Sequence, residues 1–475
     1  MSTHGIKVAR LDERESSFAL FMRILKFMLP LIATNLLQEF YHASDIMIVG
    51  LSSEPDAIGA VGATTSFLSL IKNIFIGFSV GVNVVVARFI GRGDNDGASR
   101  AAHTSICMSM LFGVVGSVIG IALTRPVLTR MGYEGKLLEL AIRYSYIVLA
   151  GIPLLSMTNF LSGISVAKGD TKTTLYTLTS TGILNVLLNA FFVLVCGLSV
   201  EGVALATAIA SLASSVILWI HLARDSELFK IGFKSLRIDP ALFREIARIG
   251  FPAGLQNALF SISNLLISSS IVQVNNAMTP PGSEYAPIMK GHSASGSIES
   301  FILQGLAAVT TSASVFTARC VGAEDYRGAR RTFGLLCLTS TAIASLFTVL
   351  AILLRDPLLS LYGVRNAEDT LSSLTYGAAM SKIFWKWPGF FVFSLMNAAS
   401  GTLRGFGKSS LAAIIALFGT CVLRVVWILT VFRRFPTLEI IFVSYPISWL
   451  ATGAVFFVII AAIFKKRIGE SQTKD

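Results

Sequence analysis

Residues 104–124, 332–354 and 440–464 contain no charged side chain. Each is long enough to cross the hydrocarbon core of a bilayer, which takes about 20 mostly apolar residues in a helix. Across the 475 residues, 53% are hydrophobic and only 14% charged, against roughly 25% charged in soluble domains. The bilayer is therefore the expected solvent, and one anchor helix cannot account for so many apolar stretches. The first 23 residues are polar and carry Lys7, Arg10, Arg14 and Arg23 beside acidic residues. No short apolar core with a small-residue cleavage site follows them, so a cleaved signal peptide is not expected and the first apolar segment is read as the first span.

Twelve spans are predicted, at 24–50, 59–87, 102–124, 138–165, 174–195, 201–221, 245–273, 297–318, 332–354, 376–401, 410–431 and 438–464. With a cytoplasmic N-terminus, the segments on that side hold most of the 39 Lys and Arg residues. The positive-inside rule then puts both termini in the cytoplasm, with an even number of spans. It also accounts for the net charge of +12, which in a soluble protein would suggest nucleic acid as a partner. No nucleic acid is expected here.

The charged interval 224–248 divides six spans from six. The sequence repeats across it: Ala87, Arg88, Gly91, Asp94, Gly97, Ala98 and Arg100 recur at a constant offset as Ala318, Arg319, Gly322, Asp325, Gly328, Ala329 and Arg331. Asn159, Ser162, Gly163 and Gly169 recur as Asn397, Ser400, Gly401 and Gly407, and Pro30 and Asn35 as Pro252 and Asn257. The fold expected is an all-α membrane protein of twelve transmembrane helices in two pseudo-symmetric six-helix bundles. Its parts are a cytoplasmic segment over 1–23, an N-lobe over 24–222, a linker over 223–244, a C-lobe over 245–464 and a tail over 465–475. Six spans per half make the repeats parallel, and sites in such proteins lie between the halves.

Polar groups inside spans are costly unless they serve a purpose. The first span is the richest, with Asn35, Gln38, Glu39, Tyr41, His42, Ser44 and Asp45. Gln38, Tyr41, His42 and Asp45 follow i, i+3, i+4, i+7 and share one helical face. Burial disfavours the charged form of a carboxyl, which makes Asp45 a candidate to exchange a proton near neutral pH. The alternative is a solvated or helix-capping Asp45 at the external face. Asn185 and Asn189 share a face of the fifth span, and Thr207 offers a hydroxyl in the sixth. With a carboxylate these are hard oxygen donors suited to a small cation, although cross-linking of helices explains the amides equally well. In the second half, Glu299 opens the eighth span, and Lys382 and Lys386 precede Pro388 in the tenth. Glu299 is read either as a second site or as the partner of a lysine, and the lysines as snorkelling to an interface.

Other features carry less. Cys107, Cys196, Cys320, Cys337 and Cys421 are scattered singly and read as small buried hydrophobes. The histidines, His4, His42, His103, His221 and His292, are too dispersed for an embedded enzyme. Gly407, Lys408 and Ser409 mimic the end of a phosphate-binding loop, but Thr402 stands where its glycine belongs and no strand precedes it. Arg92-Gly93-Asp94 reads as a capped turn.

Over nearly its whole length the chain resembles the multidrug and toxic compound extrusion family of secondary transporters. The first span runs from Leu37-Gln38-Glu39 through Asp45 to Val49-Gly50, the Gly-Asp-Thr-Lys-Thr turn appears at Gly169 to Thr173, and the Asn-x-x-x-Asn signature at Asn185 and Asn189. The resemblance implies export of diverse, often cationic organic compounds in exchange for protons or sodium ions, with no other cofactor, by a monomer in the plasma membrane. It implies ion coupling at Asp45, Asn185, Asn189 and Thr207, the first three as sodium ligands if the ion is sodium. Gln38, Tyr41, His42, Glu299 and Asn257 are the candidates for a substrate or second coupling site. Some relatives have an aspartate where Asn189 stands, and others a sodium-site glutamate near Phe260. A lipid-linked oligosaccharide flippase of related fold is the alternative, and would use Lys382, Lys386, Arg143 and Arg424 as a basic cavity.

Overall fold

Apolar length, punctuated by capped turns, builds the architecture. The computed structural model of the protein describes residues 16–49, 54, 57–131, 133–224, 229, 232, 236–280 and 286–472. No strand occurs among them. The first half consists of α1 (Ser17–Val49), α2 (Ala57–Arg92), α3 (Asn95–Arg130), α4 (Gly135–Ala150 and Ile152–Lys168, bent by 44°), α5 (Thr171–Val195) and α6 (Val200–Ala223). The second consists of α7 (Pro240–Met278), α8 (Pro287–Gly322), α9 (Tyr326–Leu353), α10 (Thr370–Lys386 and Phe390–Gly405), α11 (Ser409–Phe432) and α12 (Leu438–Gln472).

Among the described residues, nine helices are long and apolar enough to cross a membrane, ten with the bent α4. The polar-rich α7 and the α10 pair, broken at Trp387–Gly389 around Pro388, complete the twelve. Part of the predicted linker, 223–244, lies outside the described residues, namely 225–228, 230–231 and 233–235.

The repeat has a concrete structural meaning. Asp94 accepts from Gly97 N at 2.7 Å and caps α3, while Asp325 accepts from Gly328 N at 2.6 Å and caps α9. Asp170 likewise caps α5 through Thr173 N, with Gly169 at φ +99° ending α4. A left-handed φ of this kind is the conformation glycine adopts without a steric cost.

The two six-helix lobes meet near the face where the chain ends gather: Arg331 of α9 donates to Ser17, and Arg467 of α12 lies 5.8 Å over the Tyr326 ring. Apolar burial does little to drive helices together in lipid, so close backbone packing and polar contacts do that work. Gly77 and Gly81 of α2 lie against Gly254 and Gly250 of α7 with no room for a Cβ. At the face itself, Gly91 packs on the Arg319 carbonyl and Gly322 on the Arg88 carbonyl. The arginines strap the lobes reciprocally: Arg319 of α8 donates to Ala167 O, and Arg88 of α2 donates to Gly405 O at 3.5 Å. Arg88 also pairs with Glu245 of α7 at 2.6 Å.

Candidate functional site

Asp45 lies on the last turns of α1, turned toward α5. Asn189 Nδ2 donates to Asp45 Oδ1 at 2.5 Å. One turn earlier, the Asn185 amide sits between Asp45 and α6; turned so that its nitrogen faces the carboxylate, that nitrogen is 3.0 Å from Asp45 Oδ1 and its oxygen 3.3 Å from the Thr207 backbone nitrogen. The Thr207 hydroxyl donates to Val203 O of its own helix at 2.9 Å. Four of the predicted residues thus converge, because i, i+4 spacing puts both amides on the α5 face that meets α1. Tyr41, one turn before Asp45, packs on Gly182 and donates to Thr179 O at 3.1 Å. Two further groups complete the surroundings: Lys72 of α2 and Tyr144 of α4 lie within electrostatic reach of Asp45.

The shared face of α1 divides in two. Tyr41 and Asp45 form the ridge that meets α5, whereas Gln38 and His42 form the neighbouring ridge and are exposed. Glu39 points to the other lobe. It accepts from Ser300 Oγ at 2.7 Å and from Gln304 Nε2 at 3.2 Å, and Asn35 Nδ2 donates to Gln304 O at 3.0 Å. Phe40 meets Phe301 beside them, with ring centroids 4.8 Å apart. The lobes are therefore linked by a polar seam at mid-height on α1 and α8.

A second charged cluster lies inside the C-lobe, one residue from that seam. Glu299 Oε1 is 2.5 Å from Lys386 Nζ, and Oε2 is 3.0 Å from Lys382 Nζ. Lys382 and Lys386 are 3% and 6% exposed, which overturns their reading as snorkelling side chains. They lie on the inner face of α10 and have a carboxylate within reach, so neither needs to extend to an interface. Lys386 Nζ is 3.6 Å from the Tyr445 ring centroid, and the Arg424 guanidinium covers the same residue's ring at 4.1 Å. Cation–π contact of this kind steadies a charge that lacks a counter-ion. Arg143 does not join them; it pairs with Glu201 at 3.6 Å in the N-lobe. Asn257 is half-buried on α7, and its neighbour Gln256 is the residue that accepts from Arg404, at 2.9 Å.

Glu39 carried no assigned role in the sequence reading and Lys72 was missed. The signal for Lys72 was present, since it is a lone lysine inside a predicted span. The five cysteines are free, but Cys196 is exposed, contrary to a uniformly buried set.

Chemically, the N-lobe site is a carboxylate held by two amide donors beside a hydroxyl. With the Asn185 amide so turned, both amide nitrogens face Asp45, which suits a carboxylate, and Asn189 Oδ1 is buried without a partner. A sodium ion would need the amides turned to present their oxygens, because a cation takes oxygen donors. No group of three or more His, Cys, Asp or Glu suited to a metal ion occurs among the described residues.

Comparison with known proteins agrees with this architecture. The MatE family model matches residues 30–191 and again 252–430, one match in each half. The chain is 23% identical to the probable multidrug resistance protein YoeA of Bacillus subtilis, over 96% of both chains. It is 22% identical to the multidrug export protein MepA of Staphylococcus aureus over 54% of this chain and 57% of that one. Its fold matches two solved structures at a TM-score of 0.85 and 20% identity. One is an outward-facing multidrug resistance MATE family transporter, covering 99% of this chain and 100% of that one. The other is a transporter of the wider superfamily from Pyrococcus furiosus, covering 98% and 99%. Twelve helices in two repeated lobes, with the family model matching both, establish that the chain belongs to the MatE family, the multidrug and toxic compound extrusion transporters.

Proposed function

We propose that the protein is a secondary active antiporter that exports organic, often cationic, compounds in exchange for protons or sodium ions, with Asp45 as the coupling carboxyl. The observation that carries this reading is Asp45 itself, a half-buried carboxyl between helices of a membrane bundle, held by the Asn189 amide of the neighbouring helix. A carboxyl so placed is expensive in a membrane and marks an ion or proton pathway. The names of the relatives, multidrug resistance and multidrug export, support the substrate breadth.

In the proposed cycle Asp45 loads from outside while the drug cavity faces out, and empties inward as the lobes rock about the α2–α7 and α1–α8 contacts. Ion and drug occupancy bias each other. One elementary charge crossing 100 mV supplies about 2.3 kcal/mol, roughly a 40-fold concentration ratio, so a single ion per cycle drives useful extrusion. The positive-inside pattern supports a plasma-membrane protein with both termini in the cytoplasm. The strapped terminal face is then the cytoplasmic gate, closed in this conformation.

The test is uptake of a fluorescent organic cation into vesicles holding the reconstituted protein, under an imposed pH or sodium gradient. Asp45→Asn is expected to abolish gradient-driven flux while leaving insertion intact. Unchanged transport in that variant rejects the assignment, gradient-independent flux by the wild type indicates a pore, and movement of lipid alone a flippase.

A further inference from the structure

Lys382 and Lys386 pair with Glu299 inside the C-lobe and Arg424 lies within electrostatic reach of it, three cations to one carboxylate. All four are less than 8% exposed. A buried ion pair is tolerable when its charges balance and its donors are satisfied, and in this cluster the charges do not balance. Arg424 Nε donates to Ser448 Oγ at 2.8 Å and Lys382 Nζ to His292 O at 3.4 Å. Two ammoniums and a guanidinium still bring more N–H donors than Glu299, one carbonyl and one hydroxyl can accept. Glycine at 296 makes room for the Lys382 ammonium itself, since a Cβ there would lie 3.1 Å from Nζ.

From this geometry we infer that Lys382, Lys386 and Arg424 form a binding site for an oxyanion, a carboxylate or phosphate group carried by an amphipathic organic solute. Glu299 occupies part of the site as a tethered counter-ion. An entering oxyanion takes over lysine N–H donors from Glu299 and supplies the negative charge that the cluster lacks. Because Ser300, the next residue, holds Glu39 of the other lobe, occupancy of the site is positioned to reach the inter-lobe seam. The inference goes beyond the exchange mechanism and does not depend on Asp45.

Binding is measured without any gradient, so its failure and failure of the exchange reading are separate results. Carboxyfluorescein, a soluble anionic dye, is titrated into purified protein in neutral detergent and its anisotropy followed, with inorganic phosphate and short-chain phosphatidic acid as competitors. Saturable binding displaced by phosphate identifies a soluble anion as the ligand class, and displacement by phosphatidic acid alone identifies a lipid headgroup. Lys386→Gln and Arg424→Gln are expected to weaken the dye about tenfold or more. Glu299→Gln is expected to tighten it, since the internal competitor is gone, and Arg143→Gln to leave it unchanged. The inference is overturned by a wild type that shows no saturable binding, by binding that neither competitor displaces, or by a folded Glu299→Gln that binds no more tightly. If the lysine or arginine variants do not fold, the wild-type titration and Glu299→Gln still decide.

Discussion

Asn189 on α5 donates a 2.5 Å hydrogen bond to Asp45 on α1, so the carboxyl proposed to carry the coupling ion is held by the neighbouring helix rather than by its own. Hydrogen bonds to charged groups contribute about 1.5–3 kcal/mol. Asn189→Ala is therefore expected to lower gradient-driven uptake about tenfold or more with the protein still inserted and monodisperse. Uptake equal to wild type would show that the amide is a structural cross-link only.

The backbone contact between lobes yields a stability prediction. Gly91→Ala and Gly322→Ala each push a methyl group into the carbonyl of the facing arginine, and overpacking of this kind costs about 1–3 kcal/mol. Gly334, with nothing within 4 Å, is the control: Gly334→Ala should gain about 1 kcal/mol from helix propensity. Thermal unfolding of the three purified variants makes the comparison, and equal midpoints would refute the close crossing.

The arginine straps predict a change in conformation rather than in stability alone. Arg319→Met removes the donor to Ala167 O while leaving the matching strap from Arg88 in place. Spin labels at the exposed positions Asn95 and Arg330, one on each lobe, should report a broader and longer distance distribution in Arg319→Met than in the parent. An unchanged distribution would mean that glycine packing alone closes this face.

A pH dependence follows at the α4–α5 turn, outside the membrane-spanning segments. Burial pushes the Asp170 carboxyl up, but hydrogen bonds from His221 Nε2 at 2.8 Å and from the Thr173 backbone and hydroxyl outweigh it and hold the carboxyl below its ordinary value. A carboxyl depressed by folding stabilises the fold above its unfolded pKa of about 3.9, and that contribution is lost as pH falls through the lower folded value. Removing such a cap costs about 0.5–2 kcal/mol. Asp170→Asn should thus unfold at lower temperature near neutral pH and lose less stability than wild type on acidification below about pH 4. Parallel curves from pH 3 to 7 would contradict this.

Spans and repeats were legible in the chain because the physics that writes them is local. Hydrocarbon thickness dictates the apolar lengths, and the turn capped by Asp94 had to look like the turn capped by Asp325 because both end equivalent helices. Helical periodicity likewise paired Asn185 with Asn189, and Tyr41 with Asp45. It could not say which neighbour each ridge meets. Gln38 and His42, one ridge away from Asp45, are exposed, and Glu39 crosses to Ser300 in the other lobe.

Composition and spacing therefore established a membrane bundle of two related halves with a carboxyl in its first helix. Only the packing of helices decided the electrostatics. Lys72 became a neighbour of Asp45, and Lys382 and Lys386 turned inward to Glu299 instead of outward. The reason is range: a side chain's period along its helix is set within a few residues, whereas a charge's partner stands on another helix, here more than 80 residues away along the chain for Glu299 and its lysines.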